Sequence, residues 1–267
     1  MLIQTKMISK VKEKCFQDNR VSACMTYGSF TKGEGDSFSD IEFYIFLKDG
    51  MVSAFNSMQW ISDIYPVDLL LFNEYGTEVA IFTNMIRGEF HFLPACQMDI
   101  IKSFKPTGVF PDTESMFLYD STGRLSPLLD HLSGPGPDRM TNENVNFAFN
   151  NFVNEWIMGI NLIRRGELAR SLEILSHVQK YILQLIRVKE NSVVRWVNYT
   201  KNLEKDICEE SYGDYVSITS ALEAKELFDA YKSALQVMEK LYHTLGSFYK
   251  IEMSEVLIGK LYDYLYK

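Results

Sequence analysis

The chain has 267 residues, a formal net charge of −8, 46% hydrophobic residues and four cysteines. That length supports two modest domains that bury their own cores without disulfides. The negative charge argues against a nucleic-acid partner, whose binding rests on Lys and Arg neutralising phosphates.

Cys15, Cys24, Cys96 and Cys208 are too scattered for a zinc spacing or a disulfide framework and are expected to be buried, reduced thiols. No apolar run has the length of a membrane span, and the N-terminus "MLIQTKMISKVKEKC" is broken by charge every few residues. A cytoplasmic protein without a membrane partner is expected.

In chain order, Leu2, Ile3, Met7, Ile8, Val11 and Phe16 recur at helical spacing and predict an amphipathic helix that covers a sheet and ends near "QDNR". Short apolar or alternating runs follow, "VSACMTYG", "IEFYIFLK", "VDLLLF" and "RGEFHFL", with one helical stretch near 51–64. "SMFLYDSTGRLSPLL" predicts a last strand with "DSTG" as its turn, and "LSGPGPDRM" is the densest breaker cluster. Beyond it, apolar residues at intervals of three and four predict a helical bundle. The fold class is α+β: a mixed sheet with flanking helices over 1–133, then a helical domain over 141–267.

The chemistry concentrates in "YGSFTKGEGDSFSDIEFYIFL", residues 27–47. In a strand, Asp40 and Glu42 project from one face while Ile41, Phe43 and Ile45 fill the other. Two carboxylates so placed can share a hard divalent cation and repel each other without one. Upstream, Gly28 lets phosphate oxygens approach the main chain, Ser29 offers a hydroxyl and a helix-cap N–H, and Gly33 and Gly35 keep the turn compact. Each residue alone is commonplace, but Gly-Ser, a glycine-bearing spacer and Ser-Asp-Ile-Glu entering a core strand form a specific pattern.

This segment resembles the signature of the DNA polymerase β-type nucleotidyltransferases: Gly-Ser, a spacer, then Asp-x-Asp/Glu. In that superfamily two Mg²⁺ ions lie between strand carboxylates and a nucleoside triphosphate. With "YPVDLLLF" and "FLYDSTGRL", the whole chain is similar to the lincosamide nucleotidyltransferases of Gram-positive bacteria. The resemblance implies transfer of AMP from ATP to a hydroxyl of lincomycin or clindamycin, with two Mg²⁺ held by Asp40 and Glu42 and the β- and γ-phosphates positioned by Gly28 and Ser29. It also implies a homodimer; the acceptor is expected between the sheet domain and the helical bundle, a common place for small-molecule sites. An aminoglycoside O-nucleotidyltransferase would share these residues, and the acidic balance suits a polycationic substrate. A protein-modifying nucleotidyltransferase of the antitoxin kind, or a non-catalytic nucleotide-binding protein that kept the fold, are further alternatives.

Such chemistry calls for a third carboxylate as metal ligand or base. "MIRGEFHFLP" alternates Arg87, Glu89 and His91 against Ile86, Gly88, Phe90 and Phe92, which favours Glu89. Asp68 is the rival, and His91 is read as a neighbour rather than the base. Lys32, Arg87, Arg164, Arg165, Arg170 and Lys180 are candidates for phosphates, with "RRGELARSLEILSHVQKY" the best helical contact to ATP. Phe147, Phe149, Phe152 and Trp156, with Tyr119, Tyr181 and Tyr199, are aromatic options for an apolar drug, against the commoner reading as core.

Overall fold

Helix α1 (Ile3–Gln17) opens the chain and turns Met7, Val11 and Cys15 inward; of the predicted stripe Met7 and Val11 are buried and Ile8 is half-buried, whereas Leu2, Ile3 and Phe16 are exposed. The computed structural model describes residues 1–267, and these divide into two units, Met1–Pro137 and Asp138–Lys267.

The first unit is built on β1 (Val21–Tyr27), β2 (Ile41–Leu47), β3 (Val67–Phe72), β4 (Glu78–Phe82), β5 (Arg87–Pro94) and β6 (Phe117–Asp120). They form one sheet in the order β3-β4-β5-β2-β1-β6. Every neighbouring pair is antiparallel except β2 and β5, which run parallel in unbroken register from Ile41↔Gly88 to Leu47↔Pro94. Side chains alternate across the pleat, so each face has its own core. Ile41, Phe43, Ile45, Phe82 and Phe90 pack with α1 and with Trp60, Ile61 and Ile64, from the short helix α2 (Ser57–Ser62) and the turn after it. On the opposite face, Ala23, Met25 and Phe46 pack under Met98 and Ile101 of a 3₁₀ segment and under Leu125, Leu128, Leu129 and Leu132 of α3 (Leu125–Leu132).

Three features depart from the sequence reading. Strand β4 was not expected, because "TEVAIF" is short and follows a turn. "RLSPLL" is the start of helix α3 rather than the far side of a strand turn: Asp120 Oδ2 accepts the Leu125 N–H at 2.8 Å and starts the helix. Only Cys15 and Cys24 are buried; Cys96 and Cys208 are exposed, against the expectation of four interior thiols.

The second unit is helical: α4 (Asn142–Arg164), α5 (Leu168–Lys189), α6 (Leu203–Asp206), α7 (Glu209–Ser217), α8 (Ala224–Leu245) and α9 (Glu255–Leu265). Thr141 caps α4 by accepting the Asn144 N–H, and Gly166, at φ +76°, turns the chain into α5. Phe149, Phe152 and Trp156 are fully buried, so the core reading of these aromatics holds. Phe147 is half exposed and meets Tyr181 edge to face.

The Arg187 side chain is fully buried and donates to the carbonyls of Ser192, Tyr199 and Lys201 and to Asp206. These bonds fold the irregular segment 190–206 around one cation. No helix is long and apolar enough to cross a membrane.

Candidate active site

The parallel pairing of β2 and β5 decides which side chains meet. Parallel strands in register present paired residues on the same face, and Glu42 pairs with Glu89. Asp40 directly precedes β2. Asp40, Glu42 and Glu89 therefore gather where β2 and β5 begin, on the sheet face that α3 covers farther along. Asp68 is exposed on the edge strand β3, separated from β5 by β4, and does not join them.

The turn after β1 reaches the same place. Gly28 adopts φ +87° and ψ −151°, a region that side chains avoid, and a Cβ built there would lie 1.5 Å from Glu42 Oε2. The Glu42 carboxylate thus occupies the space that glycine leaves free. Residues Ser29–Lys32 form a 3₁₀ turn fixed by Thr31 Oγ1, which donates to the Gly28 carbonyl at 3.0 Å. The Ser29 hydroxyl oxygen is buried without a hydrogen-bond partner, an uncommon state that suits a ligand contact.

Arg87 lies two residues before Glu89 on the same face. Its Nη1 donates to Asp40 Oδ2 at 2.8 Å and its Nη2 donates to Glu89 Oε1. One guanidinium thereby bridges two of the three carboxylates. Glu42 is pushed up to about 7, first by burial and then by the charges of Asp40 and Glu89; Arg87 and Lys32 pull the other way.

Tyr27 closes the far side of Glu89. Its hydroxyl lies 3.4 Å from Glu89 Oε2, to which it donates, and 3.0 Å from His91 Nε2. His91 stacks on Tyr44 with centroids 4.1 Å apart, and burial holds its imidazole below the usual range. Gln4, on α1, is fully buried and donates to the carbonyls of Ser37 and Ser39, tying down the loop that delivers Asp40.

Sequence reasoning missed three of these features: Tyr27, Gln4 and the bridging role of Arg87. The Arg87-x-Glu89-x-His91 alternation carried a signal for the last, since it puts a cation on the acid's own face. Gln4 and Tyr27 carried none, because their partners lie far along the chain. Of the other proposed phosphate contacts, Lys32 is in the glycine turn, whereas Arg164, Arg165, Arg170 and Lys180 belong to α4, α5 and their connection in the second unit.

The donor chemistry fits a hard divalent cation: three carboxylates, two of them bridged by Arg87, beside a glycine turn and a serine hydroxyl without a hydrogen-bond partner. As the side chains stand, no three acidic, histidine or cysteine groups are arranged to hold a metal ion, and Arg87 engages two of the acids.

Residues 141–264 match the family model described as "Lincosamide nucleotidyltransferase-like, C-terminal domain". The helical unit is similar to that domain. Among solved structures, an aminoglycoside 6-adenyltransferase from Bacillus subtilis aligns over 100% of this chain and 99% of its own, with 14% identity and a TM-score of 0.45. A nucleotidyltransferase-like protein from Exiguobacterium sibiricum aligns over 92% of this chain and 77% of its own, with 13% identity and a TM-score of 0.39. No curated protein matches the sequence.

Proposed function

We propose that the protein is a Mg²⁺-dependent nucleotidyltransferase that moves AMP from ATP to a hydroxyl of a lincosamide such as lincomycin or clindamycin and releases pyrophosphate. The observation that carries this reading is the register of Glu42 with Glu89, beside Asp40 and against the Gly28 turn. The match of the helical unit to a lincosamide nucleotidyltransferase-like domain supports the choice of acceptor.

In this reading the turn that follows Gly28 receives phosphate oxygens, while the space a Cβ would fill at Gly28 holds the Glu42 carboxylate, and the Ser29 hydroxyl donates to one of the phosphate oxygens. Asp40, Glu42 and Glu89 would hold the two Mg²⁺ ions. When bound, Mg²⁺ would supply charge neutralisation at the phosphates and a lowered pKa at the acceptor hydroxyl. Glu89 takes the hydroxyl proton as the acceptor oxygen bonds to the α-phosphorus. The bond from that phosphorus to the β-phosphate oxygen breaks, and its electron pair leaves with pyrophosphate. Tyr27 steadies Glu89 Oε2 on the side away from Arg87. The working assembly in this reading is a homodimer, which sedimentation velocity tests.

The experiment is mass spectrometry of lincomycin, clindamycin and kanamycin after incubation with protein, Mg²⁺ and ATP, with Asp40→Ala as control. An AMP-sized gain on the lincosamides alone, lost in the variant, is the expected result. The net charge of −8 favours one second reading, an aminoglycoside acceptor, and a gain on kanamycin alone would replace the first reading with it. No gain on any drug would overturn both.

A further inference from the structure

Two of the three carboxylates at the heads of β2 and β5 already hold a cation, and that cation belongs to the chain. Arg87 extends from β5 on the face of Glu89 and forks, one nitrogen donating to Asp40 and the other to Glu89. A guanidinium bound in this way makes a planar, doubly charge-assisted contact that a water molecule cannot replace. Asp40 and Glu89 are also side chains that a divalent ion would need. A carboxylate oxygen in a hydrogen bond to Arg87 has one fewer lone pair to offer, and the guanidinium repels an incoming cation.

From this geometry we infer that Arg87 is a built-in competitor for the divalent cation: it bridges Asp40 and Glu89 while the site is idle and must let them go before metal can load. The inference rests on the nucleotidyltransferase reading. It makes Arg87 a positioning residue, since it acts through the two carboxylates it holds.

Three consequences follow from the competition. Divalent cation alone binds weakly, because each ion displaces an ion pair that is already made. Metal brought by a triphosphate binds better, since the phosphates supply ligands of their own and offer the released guanidinium a new anionic partner. Without Arg87, Asp40, Glu42 and Glu89 face one another with less compensation, so metal alone binds more tightly than in the natural chain. The side chains of Arg87 and Asp40 are more than one-third exposed, which limits the gain. An effect on the order of tenfold in Kd is expected.

The test is Mn²⁺ binding to the full chain, followed by the loss of the free-ion electron paramagnetic resonance signal, with and without α,β-methylene ATP. The proteins are the natural chain, Arg87→Gln, Arg87→Lys and Asp40→Ala. Arg87→Gln is expected to bind Mn²⁺ alone about tenfold more tightly. Arg87→Lys keeps the charge and stays near the natural value, and Asp40→Ala loses binding. If Arg87 merely props up the sheet, both Arg87 variants lower the melting temperature and neither tightens Mn²⁺ binding. Equal or weaker binding by a folded Arg87→Gln protein would overturn the inference and leave the nucleotidyltransferase reading intact. If no protein binds Mn²⁺, with or without nucleotide, both fall.

A second measurement needs no variant to fold beyond Arg87→Lys, which assigns the resonance. In the natural chain, the Arg87 Nε–H signal should shift when Mg²⁺ and α,β-methylene ATP are added together. An unmoved signal in a protein that binds the nucleotide would also overturn the inference.

Discussion

Gly28 and Glu42 share one small volume, and each limits what the other can be. In Gly28→Ala the new Cβ would fall on Glu42 Oε2, and the backbone would keep a conformation open almost only to glycine. The carboxylate can swing aside, but the backbone strain stays. A loss of about 1–3 kcal/mol in urea unfolding is expected, with, under the proposed function, a fall in turnover on the order of a hundredfold because the Glu42 carboxylate is displaced. Glu42 also gives the metal-free protein a pH signature. Its folded-state pKa of about 7 lies above the ordinary 4.5, so the fold favours the protonated form. The associated stability is complete below 4.5 and is lost as pH rises to about 7. In EDTA, Glu42→Gln should remove this decline and leave the variant more stable at pH 8, by up to roughly 3 kcal/mol. Equal slopes for the two proteins between pH 5 and 8 would contradict it. At this scale the sequence revealed the acids, because strand alternation is local. It did not reveal that Arg87 would neutralise two of them, since Asp40 lies 47 positions away in the chain.

Two glycines lie where a neighbouring ring packs directly against the backbone. A Cβ on Gly88 would lie 2.8 Å from the ring of Phe90 and 2.9 Å from that of Phe82, so β5 packs here with no room for a side chain. In the helical unit, a Cβ on Gly159 of α4 would lie 1.9 Å from the hydroxyl of Tyr231 on α8. Tyr231 is fully buried and donates to the Ser171 carbonyl at 2.8 Å, while Ser171 Oγ donates to the Gly159 carbonyl at 3.0 Å. Gly159→Ala must therefore move a packed ring and break this linkage among α4, α5 and α8. A cost of about 2–4 kcal/mol is expected from overpacking and the lost hydrogen bond, measured by urea unfolding followed through far-UV circular dichroism. Helices α1, α4, α5 and α8 were legible because long amphipathic periods repeat their signal over several turns. The parallel pairing of β2 with β5 was not, since register between strands this far apart depends on contacts that no local pattern records.

At the scale of the whole chain, each unit carries its own hydrophobic core, and no disulfide reinforces either. Ellman's reagent should label Cys96 and Cys208 in the native protein and reach Cys15 and Cys24 only in urea, while dithiothreitol leaves the melting temperature unchanged. Four reactive thiols in the native state would contradict the burial of α1 on the sheet. Breaker-rich 132–140 stood out in composition, whereas the exposure of two cysteines did not, because hydrophobicity alone assigns a thiol to the interior. The unbroken ladder from Ile41↔Gly88 to Leu47↔Pro94 has one last consequence, for how such a protein can change. Main-chain hydrogen bonds fix the spacing of Glu42 and Glu89, and nearly any residue can supply those bonds. Under the proposed function, substitutions elsewhere in the chain that refit it to a different acceptor would leave that spacing untouched, so the acceptor could change without rebuilding the carboxylate pair.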